Sequence, residues 1–247
     1  YEIHCGLVGS EMCIRARIGG TWQFTAPDRS WTLAVPRLAA AMVVLPVFLQ
    51  APWVRLHPFS ATLFTAVLMA VGIVLGQTAD RQKAEIGQLL VGFSGSWLAG
   101  CLFWGWLRAH PLLHLPVEAF ALPLALTGLN SRWRLAAAFY LSSLLGTACT
   151  DLMMAVTGVM QAWPTVVMAP IDLAPGLLHQ AGLQLLHPLP MLLLALAAVL
   201  ILGLGRRWSQ MGSTWSMAGA VLVTTVWVDG LFLITALLQP GLSGLIE

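Results

Sequence analysis

The chain has 247 residues, of which 58% are hydrophobic and only 9% are charged, and its formal net charge is +2 with a mean hydropathy of +0.83. Soluble domains carry roughly 25% charged residues, so this composition excludes one and predicts an integral membrane protein. The basic residues are few and scattered, which excludes a nucleic-acid-binding surface, and the expected partner is the lipid bilayer.

The N-terminal 36 residues are predicted to lie outside the folded core. The stretch LVGSEMCIR at residues 7–15 resembles a translated sequencing-library adapter, and a natural polar leader is the alternative interpretation. Residues 37–240 are then expected to form a single transmembrane helical domain.

A bilayer core about 30 Å thick needs about 20 mostly apolar residues per helix. Seven runs of the sequence meet this requirement and predict an all-α bundle, with spans near residues 38–54, 58–77, 86–107, 111–129, 135–160, 190–205 and 213–238.

The basic residues fall mainly on one side of these seven spans. The side of the N-terminus has eight (Arg29, Arg37, Arg81, Lys83, Arg132, Arg134, Arg206 and Arg207), whereas the other side has Arg55 and Arg108. Cytoplasmic loops are enriched in Lys and Arg, so the N-terminus is predicted to be cytoplasmic and the C-terminus outside.

The third span and the long link after the fifth span have distinct patterns. Gly92, Ser96 and Gly100 recur every four residues and predict close helix packing, while Trp97 and Trp104 could either stack a pigment or belong to the core. In the link at residues 161–189, a short interfacial helix is predicted near 171–187, either as a lid or as a passive surface helix.

Ionisable residues inside the spans are rare: Glu118 in the fourth, Asp151 in the fifth and Asp229 in the seventh, with His110 and His114 leading into the fourth. Such a group costs at least about 2.5 kcal/mol in a bilayer, so it normally faces the bundle interior and marks a function. Counted from the predicted span ends, the three carboxylates lie at similar depth in the outer half of the membrane.

His110, His114 and Glu118 recur at intervals of four, which puts them on one helix face as a proton path or as part of a metal site. A metal site would need Asp151 or Asp229 as a further ligand, and Pro116 is expected to kink the helix. Thr147 and Thr225 precede the two aspartates by one turn and are predicted to join a binding or proton-relay site with His114, Glu118, Asp151 and Asp229. A purely structural network of interhelical hydrogen bonds is the alternative.

Four stretches of the chain resemble a cyanobacterial integral membrane family known as a domain of unknown function. They are LPVFLQAPWVRLHP at 45–58, GFSGSWLAGCLFWGWLR at 92–108, HLPVEAFALPLA at 114–125 and VDGLF at 228–232. The resemblance implies a plasma or thylakoid membrane setting and brings no activity with it.

Three functions remain open from the sequence. The first is a carrier or channel-like protein with an acidic and histidine site for a small solute, ion or proton. The second is an assembly or pigment-binding factor of a photosynthetic or respiratory membrane complex, with other subunits as partners. The third is an intramembrane metal-dependent enzyme that uses His110, His114 and an acidic residue. It is least favoured because the spacing shows no pair of nucleophile and base, and no catalytic residue or cofactor is indicated. The familiar nucleotide and protease signatures are also missing.

Overall fold

The structure is a computed structural model, and it describes residues 29–170 and 172–242. Every regular element in these ranges is helical. Seven helices are long and apolar enough to cross a membrane: α1 (Ala34–Leu56), α2 (Pro58–Gly76), α3 (Arg81–Leu107), α4 (Pro111–Gly128), α5 (Arg134–Val156), α8 (Pro188–Ser209) and α9 (Ser213–Leu238). Two shorter helices, α6 (Val159–Met168) and α7 (Ala174–Leu185), lie between α5 and α8.

The predicted seven-span, all-α bundle is confirmed. The helix that contains α1 begins at Arg29, earlier than the predicted core boundary, and Val35 is buried in the main core. The leader up to residue 28, with the adapter-like stretch at 7–15, lies outside the described residues. Within the described part, α5 ends sooner than predicted because Gly158 adopts a left-handed conformation with φ of 79°, which stops the helix.

The helix ends define two faces of the bundle. The end that carries Arg81, Arg132, Arg134 and Arg206 is called the basic face here, and the end that carries α6 and α7 is called the linker face. Helices α3, α5 and α9 all run from the basic face to the linker face, so they are mutually parallel.

Helix α3 is the most buried of the seven spans, because 56% of its most apolar 18-residue stretch is buried inside the described structure. It packs between α2 and α5, while α9 packs against α1, α5 and α8. A methyl group on Gly92 would come within 2.4 Å of the Ala136 carbonyl oxygen of α5, and one on Gly100 would come within 2.9 Å of Gln50 in α1. The predicted packing role of the glycines on α3 is therefore confirmed.

Trp97 and Trp104 of α3 have different environments. Trp97 is 4% exposed, packs against Trp53, Phe64 and Phe93, and donates its indole N–H to the Ala61 carbonyl at 3.0 Å. Trp104 packs against Trp163 of α6 instead, with ring centroids 5.9 Å apart. A π-helical turn begins at Phe103 and changes the angular spacing between the two rings, so Trp97 and Trp104 do not form one open stacking face.

The link between α5 and α8 contains two helices where the sequence predicted one. Helix α7 matches the predicted segment, whereas α6 was missed because it contains Pro164. The Trp163 indole of α6 donates to the Arg108 carbonyl at 3.1 Å, and α7 packs through Ala174 and Leu178 against Ala236 of α9. Both helices therefore pack against the linker face of the bundle.

Candidate functional site

Helix α4 is interrupted in the middle of the bundle. Its α-helical segments His114–Glu118 and Leu122–Gly128 are separated by a 3₁₀ turn at Ala119–Ala121. The Leu122 N–H bonds to the Ala119 carbonyl three residues back, so the Glu118 carbonyl loses its usual helical partner. Pro116 and Pro123 remove two further backbone donors, which agrees with the predicted disruption of this span.

The hydroxyl group of Tyr140 compensates for this interruption. It donates to the Glu118 carbonyl and accepts from the Ala121 N–H at 3.1 Å. Unpaired backbone groups are expensive in a bilayer, so one side chain of α5 satisfies both sides of the turn in α4. This contact fixes the position of Glu118 relative to α5.

His114 lies at the centre of the candidate site, between carboxylates from two helices. Its Nδ1 is 2.9 Å from Asp151 Oδ1 on α5, and its Nε2 is 3.4 Å from Glu118 Oε1 on its own helix. All three side chains are largely buried, with exposed fractions of 20% for His114, 12% for Asp151 and 14% for Glu118. The structure thus joins three of the predicted site residues directly.

The two contacts of the histidine differ. The Nδ1 contact with Asp151 is a hydrogen bond whose direction depends on the histidine tautomer, whereas the Nε2 contact with Glu118 is at ion-pair distance. A protonated ring between the two carboxylates would give this trio a net charge of −1. A group of this kind can gain, lose or pass on a proton without a large change in geometry.

An aromatic ring from α3 covers the histidine. Phe103 is 2% exposed, and its ring centroid lies 4.2 Å from that of His114 with an angle of 31° between the planes. Phe103 is the first residue of the π-helical turn Phe103–Leu107. Single π turns in α-helices occur frequently at functional sites, and this one brings the ring onto the imidazole.

Asp229 on α9 forms a second polar contact next to the trio. Its Oδ2 accepts a hydrogen bond of 2.6 Å from the Thr150 hydroxyl of α5. One turn earlier along both helices, a methyl group on Gly146 would come within 2.7 Å of the Thr225 hydroxyl oxygen. The missing side chain at Gly146 therefore lets α5 and α9 approach closely enough for Thr150 to reach Asp229.

The two predicted threonines, Thr147 and Thr225, lie beside the acidic residues. The Thr225 hydroxyl bonds to the Val221 carbonyl of its own helix at 3.2 Å, and Asp229 takes its hydroxyl partner from α5 instead. Thr147 and Thr225 both line the same cavity as the acidic residues. Neither hydroxyl contacts a carboxylate of the site among the described residues.

The structure does not bring together the predicted metal ligands His110, His114 and Glu118. His110 has φ of −118° and ψ of 74°, which are not helical values, because α4 begins with a 3₁₀ turn at Pro111. The spacing of four therefore does not bring His110 above His114, and its side chain is exposed. In the described ranges, no three His, Cys, Asp or Glu side chains are arranged to hold a metal ion.

One cavity of about 510 Å³ in the bundle is lined by His114, Glu118, Asp151 and Asp229. Its walls come from α1, α3, α4, α5, α8 and α9, and α6 and α7 line it on the linker face. Most of the lining is apolar, and it includes the rings of Phe93, Phe103, Trp104, Phe139, Trp163 and Phe232. The described ionisable side chains in the lining are one histidine and three carboxylic acids, together with the Cys149 thiol, so the cavity favours positive charge.

Gln50 is a further polar residue of the cavity that the sequence analysis did not predict. It is 2% exposed, and its amide donates to the Trp97 carbonyl and to Cys101 Sγ at 3.1 Å. Gln50 ends a second π-helical turn, Pro46–Gln50 in α1. The sequence does show a polar amide within an apolar span, which could have indicated a buried role for Gln50. The π turn that directs this side chain inward has no recognisable sequence pattern.

Thr150, Phe103 and Tyr140 were also missed, for a common reason. Each acts on a partner from another helix, and the rotation of one helix against another cannot be read from residue spacing. The sequence indicates a special role only for Tyr140 and Thr150, because they are polar residues within an apolar span.

The family described as "Protein of unknown function (DUF3120)" matches residues 39–237, and the chain belongs to this family. This match confirms the resemblance to a domain of unknown function that the sequence stretches indicated. No curated protein and no solved structure matches the chain.

Proposed function

We propose that the protein is a membrane carrier that binds a small cationic solute in its central cavity and exchanges protons through His114, Glu118 and Asp151. The observation that carries this proposal is the histidine held between two carboxylates from different helices inside a cavity. Ionisable groups at such positions are typical of substrate sites and proton relays in membrane proteins.

The charge of the cavity supports a cation as the solute. With its ring protonated between the two carboxylates, the trio contributes a net charge of −1, and Asp229 adds a further negative charge when it is ionised. No Lys or Arg lines the described walls of the cavity. A cation that enters can replace a proton of the trio, which keeps the buried charge constant and links its movement to proton movement.

The size of the cavity supports a small organic molecule over a bare ion. Its volume of about 510 Å³ falls within the range of about 300–1,000 Å³ that is typical of small-molecule sites. The aromatic walls offer ring faces to a cation, and the interrupted helix α4 resembles the discontinuous helices that form substrate sites in many carriers.

The other two functions have less support from the described contacts. The predicted pigment site would use Trp97 and Trp104 as one stacking surface, but Trp97 is buried among other rings of the core. A metal-dependent enzyme would need His110 beside His114, and the turn at Pro111 separates them.

The setting that we propose is a cyanobacterial plasma or thylakoid membrane, which rests on the sequence resemblance alone. Fractionation of the two membranes from a cyanobacterial cell that expresses a tagged chain tests it. Recovery of the tag from a large membrane complex in those fractions would instead favour the assembly factor.

The test of function is a transport assay in proteoliposomes that contain a pH-sensitive dye. A panel of small organic cations and alkali-metal ions is added outside, and we expect at least one to cause proton efflux above the level of empty liposomes. Glu118→Gln and Asp229→Asn should abolish this efflux, whereas Asp172→Asn, which removes an exposed carboxylate outside the cavity, should not. Efflux that is unchanged in both cavity variants would refute the proposal.

A further inference from the structure

A second cavity lies at the basic face, at the opposite end of the bundle from the linker helices. It has a volume of about 580 Å³. It is formed by the first turns of α3, α5 and α9, the loop between α4 and α5, and Val35 of α1. Its residues have no part in the proposed transport site.

The charge of this cavity is positive. Arg81, Arg132 and Arg134 line it together with a single carboxylate, Glu85, which is 2.9 Å from Arg81. The Arg132 guanidinium lies over the Trp133 ring, 5.3 Å from its centroid, and in the described chain neither Arg132 nor Arg134 forms an ion pair with a carboxylate. The hydrogen-bond donors of both groups can therefore bind an anion, and a planar guanidinium matches the oxygens of a phosphate group well.

Uncharged hydrogen-bond donors lie beside the arginines. Ser213 and Thr214 open the long helix α9, and Gly212 before them provides no side-chain cap. The first backbone N–H groups of α9 are therefore free of helical partners, and the positive end of the helix dipole is directed at this end of the cavity. An anion accepts hydrogen bonds from such a helix start.

The position in the bilayer points to the source of the anion. The spans α3, α5 and α9 begin here and α4 ends here, so the cavity lies at the boundary between the apolar core and water. Lipid phosphate groups lie at this level of a membrane, and basic pockets between transmembrane helices bind lipid head groups.

We propose that this cavity is a binding site for a phosphate group, held by Arg132, Arg134 and the start of α9. The shared chemistry is that of a phosphodiester head group of an anionic phospholipid or of free phosphate. The site does not depend on the proposed transport function, and it carries charge of the opposite sign.

The test is thermal unfolding of the full chain in detergent micelles, followed by its tryptophan fluorescence. Phosphatidylglycerol, phosphatidylcholine and inorganic phosphate are titrated separately. A rise in the unfolding temperature with phosphatidylglycerol, but not with phosphatidylcholine, identifies a lipid head group, and a rise with inorganic phosphate identifies the free anion. Equal effects of the two lipids, without an effect of phosphate, would overturn the proposal.

Matched variants separate this site from general surface charge. The double variant Arg132→Gln, Arg134→Gln should weaken the apparent affinity at least about tenfold, as expected for lost hydrogen bonds to a charged group. The control Arg206→Gln, Arg207→Gln removes the same charge from the basic face outside the cavity and should leave the affinity unchanged. Equal losses in both double variants would overturn the proposal.

Ser213→Asp provides a test that does not put folding at risk. An acidic residue in the first turn of a helix stabilises that helix, so α9 should form normally. The same carboxylate repels a phosphate group from the start of α9, and we expect the protective effect of the anion to be lost. Full protection of this variant would contradict the proposed binding mode.

Discussion

His114 is a polar ring in an apolar bundle, and each of its nitrogens faces a carboxylate. Asp151 Oδ1 lies 2.9 Å from Nδ1, Glu118 Oε1 lies 3.4 Å from Nε2, and Phe103 covers one face of the ring. A buried ionisable group that loses one partner keeps its desolvation cost without the compensating contact. The trio should therefore behave as a unit when any one member is changed.

Asp151→Ala tests this dependence at the level of one residue. It leaves His114 Nδ1 without its partner at 2.9 Å, and we expect the free energy of unfolding to fall by about 1–3 kcal/mol. Asp151→Asn keeps an oxygen acceptor and should lose less. The measurement is unfolding in a denaturing detergent titration, with the exposed Asp172→Ala as control. Equal stabilities of Asp151→Ala and the control would argue against a connected trio.

At the scale of helices, the cavity is formed where three spans depart from regular α-helix. Helices α1 and α3 have π turns at Pro46–Gln50 and Phe103–Leu107, and α4 has the 3₁₀ turn at Ala119–Ala121. Residues from both π turns line the cavity, as does Glu118 directly before the 3₁₀ turn. These departures from regular helix bring side chains of the three spans to the cavity wall.

Gly146→Ala tests the close approach of α5 and α9. The added methyl group would meet the Thr225 hydroxyl at 2.7 Å, and overpacking of this kind costs about 1–3 kcal/mol. We expect lower thermal stability in detergent and a loss of the Thr150 to Asp229 contact one turn further along. Gly203→Ala, with open space around its methyl group, is the control and should not destabilise the protein. Thr225→Ala should restore part of the stability lost in Gly146→Ala, and an absence of rescue would mean that the strain lies elsewhere.

The spans were predictable because each depends on its own length and composition. The contact between His114 and Glu118 was predictable for the same reason, since a spacing of four within one helix sets it. The contact between Thr150 and Asp229 was not, because it depends on the rotation of α5 against α9, which Gly146 permits. The predicted column failed at His110 because Pro111 starts a 3₁₀ turn in place of a continued α-helix.

At the scale of the whole molecule, charge separates along the bundle axis. The central cavity contains three carboxylic acids and one histidine, whereas the cavity at the basic face contains three arginines and one glutamate. A cytoplasmic basic face would face anionic lipid head groups, and the acidic cavity would then lie toward the outside. The direction in which a cation is taken up therefore depends on the orientation of the bundle.

Orientation is predicted from the concentration of Arg and Lys on one face, and reporter fusions test it directly. Alkaline phosphatase is active only outside the cytoplasm, so we expect no activity when it is fused after Ser131 on the basic face and high activity when it is fused after His187 on the linker face. Green fluorescent protein at the same positions should give the opposite pattern. The reverse result at both positions would turn the basic face outward, and cation uptake through the linker face would then begin from the cytoplasm.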